Sequence, residues 1–287
     1  MKTDRRDFIK SSAILTGTLA IPSFFAGSGC TAKANAKQVG IQIYSIREQL
    51  AEDFVGSIKK LAAIGYKNIE AYGLGTNGKY LDKITAVDFK KLCDDLGMRL
   101  VATHSGYFTE DNAQGYIDGA LESGLDYLTT PSIPGELRSS IDGYKMIAEN
   151  FNRVGDMCKQ AGLKFGYHNH AFELEKLDGQ VPMEILMAET DADKVFFELD
   201  LFWVVKGGGD PFALLKEFPG RATCFHVKDA SKELESATVG QGIIDFPGLF
   251  EANKEHLEYY FVEDERKETP FENITAAYEY LSLASFT

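Results

Sequence analysis

Short apolar runs alternate with longer amphipathic stretches from Val39 to the end of the chain, and this alternation constrains the fold most. Eight runs predict strands: Val39–Ser45, Lys67–Tyr72, Arg99–His104, Tyr127–Thr130, Lys164–His170, Val195–Asp200, Ala222–Lys228 and Tyr259–Glu263. The stretches between them repeat apolar residues at helical spacing, and several end in a glycine before the next run. Eight strand–helix units in about 250 residues predict an α/β fold, a (β/α)8 TIM barrel over residues 38–287. A doubly wound open sheet is the alternative.

Residues 1–37 read as a separate segment. Arg5 and Arg6 precede an apolar stretch from Ala13 to Ala26, which is too short and too rich in Gly and Thr for a spanning helix of about 20 residues. The pair resembles the twin-arginine (Tat) export motif and predicts a signal peptide. Cys30 follows Gly-Ser-Gly, as in a lipobox without its usual Leu, so cleavage alone and a lipid anchor at Cys30 both stay open. We therefore expect an exported protein, periplasmic or membrane-anchored.

The charge balance bears on partners. The formal net charge is −13, and the leader carries a net +4, so the predicted mature chain carries −17. Nucleic-acid binding needs clustered Lys and Arg to displace counterions from phosphates. We expect no nucleic-acid partner.

Ionisable side chains end six of the eight predicted strands. They are Glu70, His104, His168 with His170, Asp200, His226 with Lys228, and Glu263. In a closed parallel barrel, the C-terminal ends of the strands form the mouth that holds the active site. A single buried polar residue is commonly structural, but a barrel does not need such a ring, so we expect these side chains to form one site.

Asp200, His226 and Glu263 make the best metal set among these residues. Imidazole with carboxylates suits a divalent ion such as Mn, Zn, Co or Mg and leaves positions open for substrate oxygens. We expect the fourth ligand from the segment YHNHAFE at residues 167–173.

Six motifs together carry a family resemblance: GIQIYSIR, YHNHAFE, ELDLFWV, GR with FHVKD, VGQGIIDF and YYFVEDE. On these motifs, residues 38–287 resemble the xylose-isomerase-like sugar phosphate isomerase/epimerase superfamily of TIM barrels. The resemblance implies a divalent metal held by one residue from each of the last four strands, which maps onto Asp200, His226 and Glu263 in the last three. Many members have Glu in the fifth strand, where this chain has His168.

Two assignments of the fifth-strand ligand stay open. His168 ligates the ion itself, or Glu173 supplies a carboxylate while the histidines face the substrate. We favour Glu173, because a third carboxylate keeps the site hard and nearly neutral.

The remaining polar residues are assigned to substrate and proton transfer. Trp203 follows Asp200 and is a candidate face for a sugar ring. Lys228 lies two residues after His226, so both side chains point the same way. We predict His170, Lys228 and Glu263 as catalytic groups. Substrate-binding residues are predicted in a separate set: Glu70, His104, His168 and Trp203.

The segment from Gly73 to Gly78 matches the GxGxxG pattern after a strand. The next helix is predicted to begin near Thr85, so no helix N-terminus meets the loop. Without that junction the pattern does not predict dinucleotide binding.

A metal between carboxylates and imidazoles suits proton abstraction α to a carbonyl. Export and the lack of an Arg-rich phosphate clamp favour an unphosphorylated sugar or keto-sugar. The sequence therefore predicts a metal-dependent isomerase or epimerase that acts through an enediolate. A 3-keto-glycoside lyase or hydratase with the same first step is one alternative, and a non-catalytic sugar-binding lipoprotein is another.

Overall fold

The computed structural model describes residues 38–286, and their central feature is a closed parallel barrel of eight strands. In chain order these strands, called first to eighth below, are Gly40–Gln42, Asn68–Leu74, Arg99–Ser105, Tyr127–Thr130, Lys164–His168, Val195–Asp200, Ala222–Val227 and Tyr259–Val262. Each strand pairs with the next, and the first also pairs with the eighth, with Gly40 opposite Phe261. The predicted (β/α)8 barrel is confirmed. The predicted signal peptide and lipobox lie outside the described residues.

Helices connect the strands on the outside of the barrel. Their bounds are Arg47–Glu52, Phe54–Ile64, Ala86–Asp95, Glu110–Ser123, Ile141–Gln160, Pro182–Glu189, Leu201–Lys206, Pro211–Glu217, Phe246–Asn253 and Pro270–Ser282, with a 3-10 turn at Ile43–Ile46. Polar side chains cap the N-termini of several helices. In the helix Pro211–Glu217, the side chain of Asp210 accepts a hydrogen bond from the backbone N–H of Phe212, and the helix opens with a proline. None of the helices in residues 38–286 is both long and apolar enough to cross a membrane.

An antiparallel hairpin follows the second strand. Lys79–Tyr80 pairs with Leu74 of that strand and with Ile84–Thr85, and the next helix begins at Ala86 with Thr85 as its cap. The glycine-rich segment from Gly73 to Gly78 therefore runs into a hairpin and not into a helix N-terminus.

The half of the barrel opposite the mouth, toward the N-terminal ends of the strands, is filled with apolar side chains. The cluster consists of Val101, Ala102, Tyr127, Phe196, Cys224, Tyr259 and Phe261, all buried. Bulky interior residues of this kind make the barrel a packed core and not a pore. Phe261 lies opposite His226 in the pairing of the seventh and eighth strands, with 6.5 Å between the centroids of the two rings. The polar mouth thus rests on an apolar floor.

Four strands end earlier than predicted. The first, predicted to reach Ser45, ends at Gln42, and the early ends of the other three place key side chains in the loops just beyond them. The fifth strand ends at His168, the seventh at Val227 and the eighth at Val262. His170, Lys228 and Glu263 consequently follow the strands. After the seventh strand the chain starts a second hairpin, Asp229–Ala230 with Ser236–Ala237, which ends the parallel pairing.

Candidate metal centre

His226 lies at the centre of the barrel mouth and has carboxylates on both sides of its ring. Its Nδ1 is 3.2 Å from Oε2 of Glu263 and 3.8 Å from Oδ2 of Asp200. Its Nε2 is 2.6 Å from Oε2 of Glu70 and 3.3 Å from Oε2 of Glu198. The ring therefore separates two layers of acidic groups, both buried.

We call His168, Asp200, His226 and Glu263 the outer group. One donor atom from each lies within 4.8 Å of the others, and all four residues are buried. Oδ2 of Asp200 and Nδ1 of His168 form no hydrogen bond although both atoms are buried. Buried polar atoms without a partner carry a large desolvation cost, which a bound cation would remove.

The chemistry of the outer group fits a divalent ion. Two carboxylates balance two positive charges, and two imidazoles suit Zn, Mn or Co more than Ca. Burial, and then the nearby His226, lower the pKa of His168 well below its usual value, which keeps that ring neutral and able to donate a lone pair. The outer group is a site that a divalent metal would fit.

A second set of donors lies on the other side of His226. We call His104, His168, Glu198 and His226 the inner group, whose donor atoms also lie within 4.8 Å of one another. Nε2 of His104 is 2.5 Å from Oε2 of Glu198. Glu70, which is fully buried, joins this layer through His226 and does not line the cavity at the mouth. The predicted substrate-binding role of Glu70 stays a prediction, and the contact seen here is with Nε2 of His226.

Sequence reasoning missed Glu198. This residue stands two positions before Asp200 on the sixth strand, and alternate strand residues share a face. Two carboxylates at that spacing were the available signal, because the strand interior is otherwise apolar. Asp200 itself ends the strand and caps the next helix, its Oδ1 accepting from the N–H of Trp203 at 2.8 Å.

The structure favours His168 over Glu173 as the fifth-strand ligand. One carboxylate oxygen of Glu173 accepts a hydrogen bond from the hydroxyl of Tyr167, and the other accepts from the backbone N–H of His170 at 2.9 Å. Burial raises the pKa of Glu173 to about 7. Because the strand stops at His168, the chain turns and folds the Glu173 carboxylate back onto its own segment. These contacts hold the Glu173 carboxylate against its own segment and argue against our preference for Glu173, and the identity of the fifth-strand ligand stays a prediction.

Lys228 is held at the mouth as a buried cation. Its ammonium group forms an ion pair with Glu265 and lies 3.9 Å from Oε2 of Glu263. It also lies over the Trp203 ring, 4.6 Å from the centroid, in a cation–π contact. Burial alone would lower the pKa of Lys228, but the carboxylates of Glu263 and Asp200 outweigh it and raise the pKa, so the side chain stays charged.

Trp203 packs on Lys228 and on His170, with 5.4 Å between the two ring centroids. It is absent from the walls of the cavity at the mouth. Its predicted contact with a sugar ring stays a prediction, and the contact seen here is with the Lys228 ammonium.

His170 presents a neutral imidazole to the cavity. Burial lowers its pKa to about 4, and its Nδ1 forms no hydrogen bond. The ring stacks on Phe172 at an interplanar angle of 9°. An oriented neutral imidazole with a free nitrogen can accept a proton.

Burial and charge separate the pKa values of the carboxylates in the outer group. Burial raises the pKa of Asp200 to about 7. Burial also opposes ionisation of Glu263, but His226 and Lys228 overcome it and lower the pKa of Glu263 below its usual value. Glu198 and Glu70 raise the pKa of His226 well above its usual value against the effect of burial. In the absence of an ion, protons hold part of the charge balance that a divalent cation would otherwise supply.

A cavity of about 360 Å³ opens above the outer group. Its lining consists of Tyr44, Tyr72, Gly73, His104, Ser105, Gly106, Pro131, Ser132, His168, His170, Glu263 and Glu265. The volume lies within the range of pockets for small organic ligands. The candidate metal centre therefore faces a space where a substrate can bind.

Comparisons with known proteins agree with this architecture. The model of the xylose isomerase-like TIM barrel family matches residues 58–263. A crystal structure of a sugar phosphate isomerase/epimerase from Parabacteroides distasonis ATCC 8503 superposes with a TM-score of 0.77 at 31% identity, covering 93% of this chain and 99% of that one. A second such structure from the same organism gives a TM-score of 0.75 at 26% identity, covering 87% and 99%.

Curated relatives match shorter stretches. An inosose dehydratase of Clostridium perfringens is 29% identical over 106 residues, which is 37% of this chain and 35% of that protein. An inosose dehydratase of Clostridium beijerinckii is 25% identical over 177 residues, or 54% and 59%. The chain thus spans between about a third and three fifths of the length of these relatives.

Proposed function

Because the chain belongs to the xylose isomerase-like TIM barrel family, we propose that it is a divalent-metal-dependent enzyme that removes a proton α to the carbonyl of an unphosphorylated sugar or keto-sugar. The observation that carries the proposal is the outer group, a buried set of two carboxylates and two imidazoles beneath an open cavity. A non-catalytic sugar-binding protein needs no such set, so the outer group argues against that alternative.

The outer group would hold the ion through His168, Asp200, His226 and Glu263. When bound, the ion supplies Lewis acidity that stabilises negative charge on the substrate carbonyl oxygen. Glu70 orients His226 by accepting a hydrogen bond from Nε2, which leaves Nδ1 facing Glu263 and Asp200.

Besides the metal ligands, two side chains of the protein take part in the reaction, His170 as the base and Lys228 as a fixed positive charge. His170 is neutral at pH 7 and lines the cavity, so its imidazole takes the substrate proton as a general base. The charged ammonium of Lys228 adds a fixed positive charge next to Glu263 and stabilises the oxyanion that forms. Glu265 and the Trp203 ring keep that ammonium in place.

The charges around the cavity support an uncharged substrate. The ammonium of Lys228 is already paired with Glu265 and Glu263, and the cavity lining includes no arginine or lysine. A phosphate group would need such free cations. An unphosphorylated sugar agrees with the proposed export of the chain. Cell fractionation and the mass of the mature N-terminus would test export. Acylation of Cys30 would add the mass of a lipid to that N-terminus.

Two outcomes follow the same proton abstraction. Protonated His170 returns its proton to the neighbouring carbon, which gives an isomer, or it protonates a leaving hydroxyl, which gives loss of water. Epimerisation needs a second acid that protonates the opposite face of the enediolate. The inosose dehydratase names of the curated relatives favour the second outcome, a dehydratase or a 3-keto-glycoside lyase or hydratase, as the second candidate.

Product analysis separates these candidates. The Mn- or Co-loaded protein is incubated with a panel of aldoses, ketoses and 3-keto-glycosides, and products are identified by NMR. A new sugar of unchanged mass supports isomerisation or epimerisation, whereas a product lighter by one water or one released alcohol supports elimination. Absence of any product across the panel from protein with full metal occupancy would contradict both.

A further inference from the structure

Two tyrosines form an aromatic corner on one wall of the cavity. The rings of Tyr44 and Tyr72 meet edge to face at 86°, with 5.1 Å between centroids. Tyr44 follows the first strand, and Tyr72 lies in the second strand opposite His104. Tyr44 is 39% exposed, which is unusual for a ring beside a buried polar site. We call these two residues the rim corner.

The rim corner is held rigidly although Tyr44 is exposed. The backbone N–H of Tyr44 donates to Oε1 of Gln42 at 3.0 Å. The Arg47 guanidinium lies 4.7 Å from the centroid of the Tyr44 ring and donates through Nη2 to the backbone carbonyl of Glu265 at 2.9 Å. A ring fixed in advance loses little conformational entropy when a ligand stacks on it.

The same contacts tie the rim corner to the catalytic side chains. Arg47 binds the backbone of Glu265, and the carboxylate of Glu265 binds the ammonium of Lys228. Tyr44 is therefore positioned by the segment that also positions Lys228.

The cavity extends from the outer group to the rim corner. His168, His170 and Glu263 form its polar end, and Tyr44 and Tyr72 line the same continuous space. Its volume of about 360 Å³ falls within the range of about 300–1,000 Å³ that takes drug-sized ligands, which are larger than a single sugar ring. A cavity of this volume has room for a second ring beside a single pyranose.

The aromatic end suits an uncharged ring. The cavity lining also includes Gly73, Pro131 and Ser132, which carry no charge, and the carboxylate of Glu265 is paired with Lys228. Aromatic side chains bind flat rings by stacking or by edge contacts, and neither mode needs a charge on the ligand.

We infer that the substrate is a two-ring keto-glycoside, whose reacting keto-sugar lies over the outer group while an uncharged second ring, a sugar or an aryl group, packs against Tyr44 and Tyr72. This inference rests on the proposed function for the placement of the reacting sugar, and it adds the class of substrate.

The test compares matched methyl and phenyl glycosides of glucose, galactose, mannose and xylose in both anomeric forms. Dissociation constants are measured by isothermal titration calorimetry with Mn-loaded protein. In each pair that binds, the phenyl glycoside is expected to bind about tenfold more tightly than the methyl glycoside. Tyr44→Ala should bring that ratio close to one by weakening the phenyl glycoside more than the methyl glycoside, whereas Tyr44→Trp should keep the ratio. Phe212→Ala is the matched control, because Phe212 is also 39% exposed but does not line the cavity.

Equal affinities within the pairs, an equal loss for both members in Tyr44→Ala, or no binding of any pair would overturn the inference. Its failure is distinct from failure of the proposed reaction. A phenyl preference that depends on Tyr44, without any solvent proton exchange into keto-sugars, would support the inferred subsite and contradict the reaction. Exchange into single-ring keto-sugars with the same kcat/KM as into their glycosides would support the reaction and overturn the subsite.

Discussion

Nε2 of His226 lies 2.6 Å from Oε2 of Glu70, and both side chains are completely buried. The hydrogen bond places a proton on Nε2 and fixes the plane of the ring. The opposite nitrogen is thereby directed at Glu263 and Asp200. A carboxylate that orients a metal-binding histidine in this way strengthens the histidine as a ligand.

Substitution of Glu70 should weaken metal binding without removing a ligand. Glu70→Gln keeps the size of the side chain but loses the charged acceptor, so we expect the affinity for Mn to fall about 10–100-fold. Calorimetric titration of metal-free protein with Mn measures this change. Glu258→Gln is the control, because Glu258 pairs with Lys164 at the opposite end of the barrel. The same loss in both variants, or none in Glu70→Gln, would argue against an orienting role for Glu70.

His168 and Glu173 should respond oppositely to substitution. His168→Ala removes a donor of the outer group, so metal affinity should drop more than the roughly 10–100-fold loss typical of an orienting residue. Glu173→Ala should keep its metal but lose about 1–3 kcal/mol of stability, because the buried Tyr167 hydroxyl and the N–H of His170 lose their acceptor. Metal content by mass spectrometry and urea unfolding measure the two effects. Full occupancy in His168→Ala together with metal loss in Glu173→Ala would restore Glu173 as the ligand.

Metal affinity should rise with pH through neutrality. Burial raises the pKa of Asp200 to about 7, so without an ion this carboxyl is largely protonated below that pH. Against the effect of burial, Glu198 and Glu70 raise the pKa of His226, which must also lose a proton before Nδ1 can bind an ion. Both groups therefore release protons on binding, and we expect Mn to bind at least about tenfold more tightly at pH 8 than at pH 6. A dissociation constant that is flat over this range, or smaller at pH 6, would contradict the protonation states assigned here.

Lys228 should matter for the reaction and not for the metal. Lys228→Met keeps the length of the side chain and removes its charge, so we expect the rate of α-proton exchange to fall about 100-fold or more. Metal stoichiometry should remain that of the unsubstituted chain. Lys206→Met is a matched control, because the ammonium of Lys206 lies 5.4 Å from the centroid of the Phe202 ring, which Lys228 also contacts. A similar rate in the two variants would exclude Lys228 from catalysis.

The fold was predictable because each barrel strand is a short apolar run next to an amphipathic helix. The predicted bounds of the fourth and sixth strands, Tyr127–Thr130 and Val195–Asp200, match the structure. Two of the strands that ended early, the seventh and the eighth, were predicted to include Lys228 and Glu263, which are polar and belong to the mouth. The apolar pattern does not predict the residue at which a strand ends and a functional loop begins.

The site was only partly predictable. Asp200, His226 and Glu263 stand at strand ends, where their spacing signals the mouth. Local sequence could not decide between Glu173 and His168, because it does not show that the Glu173 carboxylate folds back onto Tyr167 and the N–H of His170. Tyr44 lies in the GIQIYSIR motif, but an aromatic residue in a turn becomes informative about ligand binding only when the shape of the cavity is known.

Solvent deuterium exchange, measured together with bound metal, tests the central claim most directly. The Mn-loaded protein and its Asp200→Asn variant are incubated in deuterated water with a panel of keto-sugars and keto-glycosides, and α-carbon deuterium is followed by NMR. The account predicts deuterium at a carbon next to the carbonyl for the unsubstituted protein, and loss of both bound Mn and exchange in the variant. Exchange that persists in Asp200→Asn after its Mn is lost, or no exchange into any substrate at full Mn occupancy, would contradict it.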